Sequence, residues 1–197
     1  MKVYLTNLNE SWIVDRLRDE WYQHNTSISV DSIKQAEIIW IIAPWLWKKI
    51  KKKHLRDKKV VCSIYHLEDK DFEHKQIRDF KKRDSFVDVY HVISLKTKNE
   101  LEKLTDKEII YIPFWSDQLS WYEIKDKDSL RKKYNLPLDA YILGSFQRDT
   151  EGSDLKSPKL IKGPDRLVKI IEAKNRDSDK LVVLLSGKRR QYIIKEL

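Results

Sequence analysis

A chain of 197 residues with 41% hydrophobic side chains can bury the core of one ordinary domain or two small ones. Four Gly and five Pro exclude a low-complexity chain, and the single cysteine, Cys62, excludes an internal disulfide framework. The net charge of +9 favours phosphate-bearing partners, whether nucleic acid, anionic lipid or nucleotide, without choosing among them.

No repeat of fixed period occurs. The apolar stretch at residues 1–5 is too short for a secretory leader. The longest apolar segment, 36–47, is interrupted by Glu37 and Pro44 and is too short to span a bilayer. A soluble cytoplasmic protein is expected. Cys62 reads as a small buried hydrophobe inside an apolar run.

Residues 2–6 read as a strand. Residues 9–24 follow as a helix, with Trp12, Ile13, Leu17, Glu20 and Trp21 along one stripe and Asn9 as its N-cap. The near-continuous apolar run at 37–42 suits a strand covered on both faces, and Pro44 ends it. A helix is expected over 45–54, a strand over 59–65, a helix over 71–82, a strand over 87–94, a helix over 97–104 and a strand over 109–113. This alternation predicts an α/β fold with a parallel, doubly wound, Rossmann-like sheet. Residues 114–127 break the rhythm, which divides the chain into 1–122 and 123–197. The second part reads as a helix at 128–134, a strand at 140–146, a polar loop at 148–161, a helix at 164–173, a strand at 180–186 and a helix from 187. Proline at the first turn of the 164–173 helix costs no hydrogen bond. Two strands make a marginal sheet. They either join the first sheet or belong to a longer unit, and the second reading is favoured.

The stretch Gly144-Ser145-Phe146-Gln147-Arg148, followed by Lys162-Gly163-Pro164-Asp165, brings an arginine at a strand's end together with a Lys-Gly pair opening a helix. A helix N-terminus has unpaired N–H groups that suit a phosphate, and fixed cations beside it suit a diphosphate. The plainer alternative is that Arg148 and Lys162 are solvated loop cations.

From residue 109 onward the chain resembles the family-4, GT-B-type glycosyltransferases. Pro113 and Asp117 match the family's linker, Leu136-Pro137-Leu138-Asp139 the approach to the first donor-domain strand, and Arg148 with Lys162-Gly163 its phosphate-binding pair. Leu181 to Gly187 resembles the following strand and glycine turn. The resemblance implies two Rossmann-like domains, 1–122 on the acceptor side and 123–197 as the first part of the nucleotide-sugar domain. It also implies a retaining sugar transfer from a UDP- or GDP-sugar to a saccharide or lipid-linked acceptor, with no cofactor. The gap from Arg148 to Lys162 is longer than in the family, so Lys159 is a substitute for one of the pair. Thr6-Asn7-Leu8-Asn9 stands where the family has a glycine-rich turn. The family's paired-glutamate motif falls beyond Leu197, so this stretch is expected to be inactive alone.

His66 falls at the carboxyl end of the 59–65 strand, where open α/β sheets bind ligands, and the family has a histidine near the reacting carbon at a similar place. Glu68 and Asp69 read as a base, metal ligands or helix caps. His24, His54, His74 and His91 are scattered without zinc-type spacing, so no metal is expected. Trp45, Trp47, Lys48, Lys49 and Lys52 form an aromatic and basic cluster suited to an anionic membrane surface or an acceptor, which would place the protein peripherally at the inner membrane face. The plainer reading is a surface helix with solvated lysines. Trp115, Trp121 and Tyr122 read as junction packing. The alternative function is a non-catalytic basic module for nucleic acid or an anionic membrane, although no recognised nucleic-acid module appears.

Overall fold

Short runs rich in Ile and Val form β1 (Val3–Leu5), β2 (Ile38–Ile41), β3 (Lys59–Ile64), β4 (Val89–Val92) and β5 (Glu108–Tyr111), paired in parallel in that order. This computed structural model describes residues 1–9, 13–67, 74–177 and 180–197. The chain divides into the units Met1–Tyr122 and Glu123–Leu197.

On the side of β1 away from β2, Val3 N–H donates to Ile28 O (2.8 Å) and Val30 N–H donates to Val3 O (3.0 Å), a parallel bridge centred on Ser29. The chain therefore leaves β1 through α1 (Ile13–His24), touches one side of β1, and returns to the other side as β2. Crossover direction reverses there, and right-handed crossovers then put helices on both faces. The packing agrees. Trp21 of α1 meets Trp40 edge-on at 5.0 Å, on the face that Trp40 shares with Val61 and Val89. Phe80 of α3 (His74–Asp84), the helix before α4 (Leu95–Leu101), stacks on Tyr90 at 6.0 Å on the opposite face. That second face is the dry one: Ile39, Ile41, Val60, Cys62 and Val92 are fully or almost fully buried.

Two local expectations are corrected. In place of one helix over 45–54 there is a 3-10 turn, Pro44–Lys49, then extended backbone at Ile50 and Lys51, then α2 (Lys52–Asp57). Ile50 is buried, as are Leu46 and Trp47. Asn9 does not cap α1 in the ordinary way. Its φ of 58° lies in the left-handed region, whereas an N-cap residue is extended. The Asn9 N–H donates to Asp15 Oδ1 at 2.9 Å, closing the loop after β1. Trp12 lies outside the described residues, as do Glu68, Asp69 and Asp71.

In the second unit, α5 (Lys127–Lys133) starts on Asp126, whose carboxylate accepts from Ser129 N–H at 3.0 Å. Three backbone carbonyls, of Pro137, Leu138 and Ala140, accept from Arg131 Nη1 and hold the chain as it enters β6 (Tyr141–Ser145). The helix α6 (Pro164–Asp177) then leads to β7 (Leu181–Leu185) and α7 (Gln191–Glu196). Strands β6 and β7 pair in parallel as a separate two-stranded sheet. Ala140, Val168, Ile171 and Ile193 form the small buried interior. Among the described residues no helix is long and apolar enough to cross a membrane.

Candidate anion-binding cavity

The loop from β6 to α6 is fixed by backbone bonds rather than by a covering layer. Lys159 N–H donates to Asp149 O at 2.7 Å and Glu151 N–H donates to Ser157 O at 2.9 Å. Asp149 is the buried anchor. Its own N–H donates to Arg189 O at 2.9 Å, and its carboxylate accepts from Ile193 N–H at 3.1 Å, capping α7. A short 3-10 turn, Leu160–Lys162, ends at Gly163 in the left-handed region (φ 63°), and α6 begins at the next residue. Only glycine adopts that conformation without penalty, so the Lys-Gly pair delivers Lys162 to the helix mouth.

Beside this turn lies a cavity of about 910 Å³ between the end of β6 and the start of α6. Gly144, Ser145 and Gln147 form one wall, and Lys162, Gly163 and Arg166 another. Exposed Phe146, Leu160 and Ile161 add an apolar rim. Gln147 Nε2 donates to Lys162 O at 2.6 Å and ties the walls together. Behind Ser145 sits Arg190, only 5% exposed. Its Nη2 donates to Ser145 Oγ at 2.7 Å, while its Nε and Nη1 are buried without a partner. Because this guanidinium donates to Ser145 Oγ, the Ser145 hydroxyl proton is left free to point elsewhere.

Of the expected diphosphate residues, Lys162 and Gly163 line this cavity. Arg148 is exposed and is not part of the lining. Lys159 is turned to Glu151, 3.8 Å from its carboxylate, and is also outside the lining. Sequence reasoning missed Arg190, which sat unremarked in the cationic run Lys188-Arg189-Arg190. It also missed Gln147 and Arg166 as wall residues. Only burial distinguishes Arg190 from its neighbours, and burial is a property of the folded chain.

No family model matches the chain, and no curated protein matches it.

In the first unit His66 is exposed just past β3 at the carboxyl edge of the sheet. Trp45 is 45% exposed, whereas Trp47 is 7% exposed and packs on Phe86 at 6.0 Å, so Trp47 belongs to the core and not to a membrane-facing surface. Lys48 pairs with Asp79 at 2.6 Å, and Lys49 and Lys52 are exposed. Among the described residues no cluster of three His, Cys, Asp or Glu side chains is placed to hold a metal ion.

Proposed function

We propose that the chain is a GT-B-type glycosyltransferase whose second unit holds the diphosphate of a UDP- or GDP-sugar. The observation that carries this reading is the cavity at the N-terminus of α6, where Lys162 and Gly163 meet Ser145 with Arg190 beneath it. Unpaired N–H groups at the mouth of a 14-residue helix and three cationic side chains, Lys162, Arg166 and Arg190, favour an anion, and the Phe146–Ile161 rim offers apolar surface to a base or ribose.

In the proposed reaction the bond from the anomeric carbon to the β-phosphate oxygen breaks, and its electron pair leaves with the diphosphate. The acceptor hydroxyl oxygen forms the new bond, and its proton passes to the departing diphosphate oxygen. Lys162 neutralises the charge growing on the leaving diphosphate, and an interaction that strengthens as that charge grows lowers the barrier. Arg148 joins it only by swinging inward from its exposed position. His66 is assigned to hydrogen-bonding the sugar or acceptor, and the outcome is retaining. The acceptor is a saccharide or a lipid-linked saccharide. Exposed Trp45, Lys49 and Lys52 are suited to a peripheral contact with the anionic inner membrane face of the cytoplasm.

Thermal unfolding with UDP, GDP, UDP-glucose and GDP-mannose tests the reading. A ligand at a hundred times its Kd stabilises by about 2.7 kcal/mol. The expected result is a higher Tm with at least one of the four, abolished in Lys162→Ala. No shift with any of them at millimolar concentration overturns the assignment.

A further inference from the structure

The two faces of the first sheet are clad unequally. Each step from β2 to β5 moves one strand in the same direction, so right-handed crossovers place α2, α3 and α4 on one face. Among the described helices of this unit only α1 lies on the other face, where Trp21 meets Trp40. Beyond Trp40 that face continues across β3, β4 and β5 as an open groove of about 380 Å³. Val61 is partly buried in it, and on the edge strand β5 Ile110 and Ile112 are 40% and 50% exposed. Lys59, at the start of β3, and Glu108, at the start of β5, line the same groove, and both are exposed. Neither side chain makes an ion pair among the described residues.

Parallel sheets are covered on both faces, and exposed apolar surface rimmed by charge marks an interface. The charges select the occupant. An acidic partner would be repelled by Glu108 and a basic one by Lys59, whereas a second copy of the same face supplies both signs. Strand spacing of about 4.8 Å puts β3 and β5 roughly 10 Å apart, with β4 between them. A two-fold axis in the plane of the contact, passing midway between Lys59 and Glu108, brings each Lys59 to Glu108 of the other copy. The same rotation lays Val61 and Ile110 on the apolar surface opposite. The Met1 ammonium, which also lines the groove, is already held by Glu37 at 3.3 Å and leaves that balance intact. We infer that this sheet face is an isologous dimer interface between two copies of the chain, matched by Lys59 and Glu108 around an apolar centre. The inference uses first-unit residues alone and stands independently of the phosphate site in the second.

Sedimentation velocity on the whole chain, over a concentration series reaching hundreds of micromolar, tests it. The expected result is a reversible monomer–dimer equilibrium. Lys59→Glu and Glu108→Lys each set like charges opposite one another at both symmetry-related contacts and weaken the dimer about tenfold or more. An equimolar mixture of the two variants associates again, because one copy then presents two carboxylates and the other two ammonium groups. Lys162→Ala leaves the equilibrium unchanged. Both reversed side chains are exposed, and melting curves confirm that the variants fold. A monomer at every concentration overturns the inference and leaves the face to a different occupant. A dimer that ignores both reversals, or a mixture no better associated than its components, overturns it as well.

Discussion

His91 lies in a hydrogen-bonded chain across the sheet that dictates its own tautomer. Its Nε2 is 2.8 Å from the Ile112 carbonyl, which can only accept, so Nε2 carries the proton. Its Nδ1 is then an acceptor, and the Ser63 hydroxyl, 2.9 Å away, donates to it. Ser63 Oγ in turn accepts from Trp40 Nε1 at 2.9 Å. Ser63 and His91 are both buried, and burial lowers the His91 pKa from 6.5, a shift only partly offset by the bond to Ile112. Replacing His91 with Phe leaves the Ser63 proton unpaired at about 1–3 kcal/mol, plus a smaller cost for the half-exposed Ile112 carbonyl, for a total of about 2–4 kcal/mol. Urea unfolding followed by tryptophan fluorescence at pH 8 measures it. The proton balance gives a second signature. Because the folded pKa lies below 6.5, the unfolded chain binds the extra proton first. The contribution of His91 is thus fully present above 6.5 and is lost as pH falls through the folded pKa. His91→Phe flattens that part of the stability profile. A cost below about 0.5 kcal/mol, or an unchanged pH slope, refutes the assigned network.

Trp47→Ala removes a core ring and destabilises by about 3–5 kcal/mol, while Trp45→Ala stays within about 1 kcal/mol; chemical denaturation distinguishes them. Burial pushes the Cys62 thiol up to about 12, so iodoacetamide leaves it unmodified in the folded chain at pH 8 and alkylates it in urea, as mass spectrometry reads. Gly163→Ala forces a side chain into the left-handed region at a cost of about 1–2 kcal/mol, and Gly163→Asn recovers part of that in the same melting assay.

The parallel α/β architecture was legible because buried parallel strands announce themselves as unbroken apolar runs, as at Ile38–Ile41 and Lys59–Ile64. The reversal of crossover at β1 was not, since the Ile28-Ser29-Val30 segment that bridges β1 is too short to announce a strand and is held by backbone bonds. The break at Ile50 and Lys51 was hidden because Leu46, Trp47 and Ile50 are spaced to share one face of a continuous helix, and the observed 3-10 turn buries the same three residues. Trp45 and Trp47 look alike in sequence, and only the direction of a 3-10 turn separates solvent from core. Within the candidate cavity, Lys162-Gly163 stood out as a glycine-bearing helix entry. Arg190 draws its interest from missing partners, which no spacing rule encodes.

Calorimetric titration of UDP and GDP into the whole chain at low salt tests the central claim most directly. The account predicts saturable binding at one site, about tenfold or more weaker in Lys162→Ala and weaker again as salt rises. An affinity that Lys162→Ala does not change, or no heat with either nucleotide, would contradict it.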